Sequence, residues 1–333
     1  MFPTPGGAVE EWASDSSAAG WKLAHQPPHP IPAPPRRSHR TVITIAVVGA
    51  AIAIVAGLFG LIRSPHSPLT RLLYSGQIVL PFAGLKDPTG VAVDAKGDVY
   101  VTDAGNRRVL KLAQGSTSQT ELPFTGLQNL TGVAADDKGA VYVTYFTDGY
   151  PAVGKVVKLA AGSNSQTELP FTDLADPRAV AVDAVGNVYV ADRRKQQVVR
   201  LAAGSNSQTV LPFTGLEFPQ GVAVDPSGDV YVTDTQLYDN RVVRLASGST
   251  DQTELPFTGL DQPHGVAVED NGSVFVSDSN SRQVLKLPAG SARQAALPFR
   301  GLNSPEGVAV DAKGDVFVAD AMRSRVVKLP RKN

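Results

Sequence analysis

Residues 80–112 read LPFAGLKDPTGVAVDAKGDVYVTDAGNRRVLKL, and the chain repeats this sentence with small changes five more times. Its opening word recurs unchanged as LPFTGL at 122–127, 211–216 and 255–260, and with one letter changed as LPFTDL at 169–174 and LPFRGL at 297–302. Successive words stand 42 to 47 residues apart. A period in this range is the mark of propeller blades. After each word comes P-x-G-V-A-V-D, then a Gly-containing turn, V-Y-V-x-D, a variable stretch, and R-V-x-K-L. In the first unit the three runs are Gly90–Asp94, Val99–Asp103 and Arg108–Leu112.

Each run is short, rich in β-branched residues and bounded by Gly, Asp, Asn or Pro, so each is expected to be a strand. A fourth strand is the stretch that leads into the word, as in Gln119–Phe124. Four strands in about 43 residues make one twisted blade. The first strand is apolar on both faces at Val91, Ala92 and Val93, as a strand near the axis requires. The sixth unit ends at Arg325–Leu329 without a fourth strand, while a spare one, Gln77–Leu80, precedes the first unit. The expectation is an all-β, six-bladed β-propeller over residues 76–333, closed by the N-terminal strand 77–80, which removes the open sheet edges.

The recurring word admits two readings: six binding motifs, or six seams. Its proline removes a donor from the outer strand where that strand ends at the exposed edge. Its phenylalanine is expected beneath the neighbouring blade, and its glycine permits the inward turn. The seam reading places specificity outside the word.

The first 75 residues have another character. Residues 1–40 are rich in Pro, Ala and Ser and read as a disordered tail. Thr41–Ile62 is uncharged and apolar, and 22 residues at ~1.5 Å rise make about 33 Å, enough to cross a hydrocarbon core. A single transmembrane helix is expected there, with residues 63–75 as a linker. Forty preceding residues argue for an uncleaved anchor over a signal peptide. Arg36, Arg37 and Arg40 before the span, against Arg63 after it, place the tail in the cytoplasm and the repeats outside. The expected location is therefore the cell membrane, single-pass. Both tryptophans, Trp12 and Trp21, lie in the tail, which is either a docking segment for a cytoplasmic partner or a solvated segment with no such role.

Composition excludes several classes. The 31 basic and 31 acidic residues cancel, so no global field favours nucleic acid. Cysteine is absent, which removes disulfides and thiol nucleophiles. Only His264 lies beyond residue 66, so common zinc and haem ligand sets cannot be assembled. The acids of Asp94–Asp98 and Asp311–Asp315 are explained by hairpin chemistry, and no cofactor or metal is expected. Asp103, Asp234 and Asp320 are expected to pair within their blades with Arg108, Arg241 and Arg325.

The pattern P-x-G-V-A-V-D, G-x-V-Y-V-x-D, R-V-x-K-L resembles the NHL repeat. The array over about residues 76–330 is similar to the extracellular sensor propeller of the mycobacterial transmembrane Ser/Thr protein kinase of the D type. The resemblance implies a sensor, yet the chain contains no kinase Gly-rich loop, H-R-D or D-F-G set, so no kinase activity is expected.

By analogy with such propellers, the residue before the first strand of each blade looks onto one face around the channel. These are Thr89, Thr131, Arg178, Gln220, His264 and Glu306, which vary while the strands barely change. On the same face, blade two is expected to carry three loop aromatics, Tyr145, Phe146 and Tyr150, and blade four Tyr238. Blade three offers the basic residues Arg178, Arg193, Arg194 and Lys195, which could meet an acidic group or stand as a solvated face. The reading is a membrane-anchored extracytoplasmic sensor, binding or scaffold module for a ligand or envelope protein. A propeller lyase or lactonase-type enzyme is one alternative, and a nucleic-acid-binding NHL propeller with inverted topology is another.

Overall fold

The computed structural model describes residues 73–237 and 239–332. The expected tail and membrane span lie outside these residues. Among the described residues no helix is long and apolar enough to cross a membrane.

The repeat folds into six four-stranded antiparallel sheets. Blade I consists of Pro88–Val93, Val99–Asp103, Arg108–Leu112 and Gln119–Glu121. Blades II to V repeat this order in residues 129–168, 177–210, 219–254 and 263–296. Blade VI takes three strands from residues 305–329 and its outer strand from Ile78–Val79, which pairs with Arg325–Leu329. Closure extends upstream, where Ser75 N–H donates to the Pro330 carbonyl at 2.7 Å and Tyr74 bridges Arg331. A ring joined through its first and last strands leaves no blade incomplete.

The core lies in the seams between blades. In the first strand of blade I, Val91 packs with Ala309, Phe317 and Val326 of blade VI, while Ala92 packs with Val133, Val141 and Val143 of blade II. Alternation along one strand therefore supplies both neighbouring seams. The second strand contributes one large ring per blade, Tyr100, Tyr142, Tyr189, Tyr231, Phe275 and Phe317, each buried. The four tyrosines donate their hydroxyls to the hairpin acids Asp94, Asp136, Asp183 and Asp225 at 3.0–3.1 Å. These aspartates also accept the backbone N–H groups of their own turns, as Asp94 does from Lys96 and Asp98. Hairpin chemistry thus accounts for the paired acids.

The recurring word is a seam. In all six copies the phenylalanine N–H donates to the leucine carbonyl two residues back, at 2.7–2.8 Å, with proline at the centre of this three-residue turn. Proline's fixed φ suits such a turn. The outer strand ends before the word, at Glu121 in blade I. Leu122 N–H makes one last ladder bond, to Val109, before proline interrupts the series of donors.

The residue after each phenylalanine is clasped by a glutamine from the next outer strand. Gln119 holds Ala83 through both N–H and carbonyl, and Gln166, Gln208, Gln252 and Gln294 do the same for Thr125, Thr172, Thr214 and Thr258. Gln77 completes the circle on Arg300, across 223 positions of sequence. Each clasp is a side-chain amide that accepts from the N–H and donates to the carbonyl of one residue. Gln77→Ala should lower stability by about 1–2 kcal/mol, as expected for loss of two exposed hydrogen bonds. It should cost more than Gln166→Ala, because it also loosens the closing strand; denaturant unfolding of the two variants measures the difference.

Candidate functional site

Two faces follow from the strand order. Pro88 pairs with Asp103, so the start of each first strand and the loop between the second and third strands share one rim face. The Asp-Gly hairpins, such as Asp94–Asp98, share the other. In every blade the first pairing is irregular near its start, between Pro88 and Val91 in blade I and at the equivalent places elsewhere. Such a break in register re-aims a side chain. The re-aimed residues are the six variable ones: Thr89, Thr131, Arg178, Gln220, His264 and Glu306 line one axial cavity of about 160 Å³.

Below them the channel narrows to backbone. A Cβ on Gly221 would lie 2.4 Å from the His264 carbonyl oxygen, and one on Gly265 2.6 Å from that of Glu306. Only glycine permits so close an approach. Hydroxyls from the second strands brace this level: Thr233 donates to the His264 carbonyl at 2.5 Å, and Ser277 to that of Glu306. In blades III and VI the equivalent positions are Ala191 and Ala319, and these two blades carry the charged pair Arg178 and Glu306.

Arg178 is anchored on Asp176, a buried carboxylate, by two contacts at 3.0 Å. Arg193 reaches the same carboxylate at 3.7 Å and lies over the Phe218 ring at 5.2 Å. Its Nε is buried with no hydrogen-bond partner among the described residues. Burial and the neighbouring Arg178 hold the Arg193 guanidinium below its ordinary range, against the pull of Asp176. Burial, helped by Arg178 and Arg193, pushes the His264 imidazole down to about 4, so it is neutral at physiological pH. Burial pushes the Glu306 carboxyl up to about 7, with Arg178 opposing and Asp87 reinforcing the shift.

The loop residues divide. Tyr150 is 98% exposed and stands on the rim face, as do Leu237 at 75% and Met322 at 70%. Tyr145 is a correction to the sequence reading: it is 6% exposed and belongs to the seam between blades I and II. It lies within the second strand, Val141–Phe146, at the inward position where the other five blades bury Asp103, Asp192, Asp234, Asp278 and Asp320. Those aspartates accept backbone N–H groups of the incoming chain, as Asp103 does from Lys86 at 2.7 Å. Blade II fills the place with a ring instead. Phe146 is part of the same strand and is half-buried, so it is not a loop residue either.

The expected ion pairs Arg108–Asp103, Arg241–Asp234 and Arg325–Asp320 form at 2.7–3.2 Å. Lys195 pairs with Asp173 at 2.6 Å, while Arg194 is exposed. Tyr238 lies outside the described residues. Among the described residues no three His, Asp or Glu side chains converge as a metal-ligand set. Sequence reasoning missed Asp176, which sits two residues before Arg178 in Asp176-Pro-Arg178, and Met322, whose exposure no pattern reveals.

Ring closure, repeated seam and polar axial pocket together define a six-bladed β-propeller. Residues 85–112, 216–245, 260–287 and 302–329 match the NHL repeat family. The propeller resembles that of the serine/threonine-protein kinase PknD of Mycobacterium tuberculosis. It is 49% identical to the kinase from strains CDC 1551 and H37Rv over 148 residues, which cover 35% of this chain and 21% of the kinase. The chain thus spans about a fifth of the length of these relatives. Solved structures confirm the fold alone. A chain of the nidogen/laminin complex superposes with a TM-score of 0.60 at 20% identity, covering 67% of this chain and 85% of that one. A gluconolactonase from Xanthomonas campestris gives 0.62 at 15%, covering 77% and 89%. Virginiamycin B lyase from Staphylococcus aureus gives 0.57 at 12%, covering 77% and 99%.

The raised Glu306 carboxyl has a consequence for stability. Its folded value of about 7 exceeds the ordinary 4.5, so the folded state holds this proton more tightly than the unfolded chain. The resulting stabilisation is present at low pH, declines as pH rises through this interval and is flat above it. Glu306→Gln should therefore raise the thermal midpoint by a few degrees at pH 8 and change it little at pH 4.5, measured by calorimetry at both.

Proposed function

We propose that the chain is a membrane-anchored extracytoplasmic sensor or scaffold module. Its rim face binds a ligand or envelope protein, and it has no enzymatic activity of its own. The observation that carries this reading is the confinement of variation. Six blades built on one pattern place six residues of five types, Thr89, Thr131, Arg178, Gln220, His264 and Glu306, around one cavity. The exposed side chains Tyr150, Leu237 and Met322 stand on loops of the same face. Exposed aromatic and apolar anchors beside polar groups are the composition of a recognition surface.

Chain direction supports an orientation. Lys332 N–H donates to the Leu73 carbonyl and Ser75 N–H to that of Pro330, so the first described residues run beside the end of the chain. That end lies at the hairpin face, where Leu329 pairs with Val316. The first described residues therefore join the propeller at the hairpin face, which leaves the rim face free of this junction and available to an envelope partner. The resemblance to part of a kinase named for serine/threonine phosphorylation fits a sensing module, and the Trp-containing tail would meet a cytoplasmic partner.

Site-specific photocrosslinking of the full chain in intact cells tests the reading. Crosslinkers replacing Tyr150, Arg194 or Leu237 should capture a common envelope component. One replacing Val185, equally exposed on the hairpin face, should not. Capture from position 185 alone, or protection of the propeller from external protease, would overturn the assignment of face or side.

A further inference from the structure

Blades III and VI lie opposite each other in the closed ring, three places apart in either direction. Their rim residues are the only two charged ones lining the axial cavity, Arg178 and Glu306. Around Arg178 the charges do not balance: Arg178 and Arg193 contribute two positive charges, Asp176 one negative. One positive charge is left over. The Arg193 Nε is buried without a hydrogen-bond partner among the described residues, and its guanidinium lies over the Phe218 ring. The remaining lining groups, Thr89, Thr131, Gln220 and His264, are hydrogen-bonding and uncharged near neutral pH. The glycine level, with Ala179 in blade III, lines the pocket beneath them.

We propose that this pocket binds a single carboxylate group, seated on Arg178 with Gln220 and His264 as neutral hydrogen-bonding neighbours and with Arg193 behind Arg178 adding positive charge. The proposal rests on the rim face being the binding face and specifies what its centre recognises. Planar guanidinium groups match a carboxylate in shape as well as charge. A monoanion cancels the surplus charge and a planar one fits the guanidinium; phosphate is tetrahedral, and as the dianion that prevails above about pH 7 it would leave a negative charge facing Glu306. A pocket of about 160 Å³ admits a small acid whole, or only the last residue of a longer chain. The carboxylate can thus come from a free small acid or from a peptide C-terminus.

Glu306 makes the site sensitive to pH. The charged groups around it are Arg178 across the cavity and Asp87 beside it, with Arg193 and Asp176 behind Arg178. Below about 7 its carboxyl is neutral and the site carries its surplus positive charge. Above that value the new carboxylate cancels the surplus. Affinity for an anion should fall as pH rises, by about tenfold for a unit charge acting across a half-buried pocket. His264 adds nothing to this change between pH 6 and 8, because it stays neutral throughout.

The test uses the purified full chain in detergent, titrated calorimetrically with lactate, N-acetylglycine, N-acetylglycinamide and inorganic phosphate at pH 6 and pH 8. Both acids should bind at pH 6 and about tenfold more weakly at pH 8, and the amide should not bind. Glu306→Gln should abolish the pH dependence while retaining binding. Arg178→Met and Arg193→Met should each weaken both acids at least tenfold. Binding of N-acetylglycine without lactate would assign the carboxylate to a peptide end, and equal binding to a free acid. Amide binding equal to acid, phosphate binding tighter than either acid, or unchanged affinity in a folded Arg178→Met protein would overturn the proposal. Because Arg178→Met strands Asp176, the Glu306→Gln pH profile stands as an independent arm: a persistent pH dependence there also refutes it. Failure of these titrations with crosslinking at residues 150, 194 and 237 intact would leave the face assignment standing and remove only its ligand.

Discussion

The close approach of six first strands around the axis is the constraint on which the structure depends. Between neighbouring blades the backbones come so near that side chains are excluded: a Cβ on Gly90 would meet Val133 N at 2.9 Å, and one on Gly307 would meet Val91 N at 2.7 Å. The glycine in P-x-G-V-A-V-D is therefore a condition of closure, and not a device for flexibility. Blade III alone departs from it, with Ala179. Once the strands stand this close, their valines and alanines fall into opposite seams, and the tyrosine and phenylalanine rings behind them fill the widening wedge between blades. A twisted sheet splays as it leaves the axis, so residues must grow with radius.

Polar groups then fix what packing leaves free. Hydroxyls of the second strands brace the waist, buried aspartates receive the incoming chain, and outer glutamines clasp the preceding word. Each device joins one blade to the next, so the ring resembles a chain of nearest-neighbour links closed through Gln77 and Arg300. Blade II shows how tolerant the scheme is. It loses the buried aspartate to Tyr145 and ties its incoming chain by other bonds: Asn129 donates to the Phe146 carbonyl and to Asp148, and Asp148 N–H donates to the Gln128 side chain.

Much of this was legible in the sequence because a period of 42 to 47 residues repeats every constraint six times. The closing strand was legible from arithmetic, one strand spare at the start and one missing at the end. The rim was legible because its residues vary while the strand that follows each of them barely changes, and all six meet at one cavity. Tyr145 was misread for a physical reason. An aromatic that replaces an aspartate next to an insertion resembles loop chemistry, but the strand continues through it, and the position faces the seam. The glutamine clasps went unseen because an amide in an exposed strand gives no apolar signal. Asp176 was hidden likewise, since only the fold brings Arg193 to the carboxylate that Arg178 already holds.

The division between scaffold and site explains how one pattern can carry specificity. Rim residues project above a waist made of backbone, so exchanging Thr89 for another side chain gives up its hydroxyl contact with Thr102 but no seam packing. The charged positions are different. Arg178 cannot be changed without leaving Asp176 buried beside a single distant guanidinium, and a stranded buried charge is strongly destabilising. Glu306 is held partly neutral by the same burial that makes the pocket small. Blades III and VI also lack the bracing hydroxyl, having Ala191 and Ala319 where the others have threonine or serine. The two blades that supply charge to the cavity are thus the two that give up a structural hydrogen bond. Local agreement with the fold is relaxed at the position where a binding site would require it.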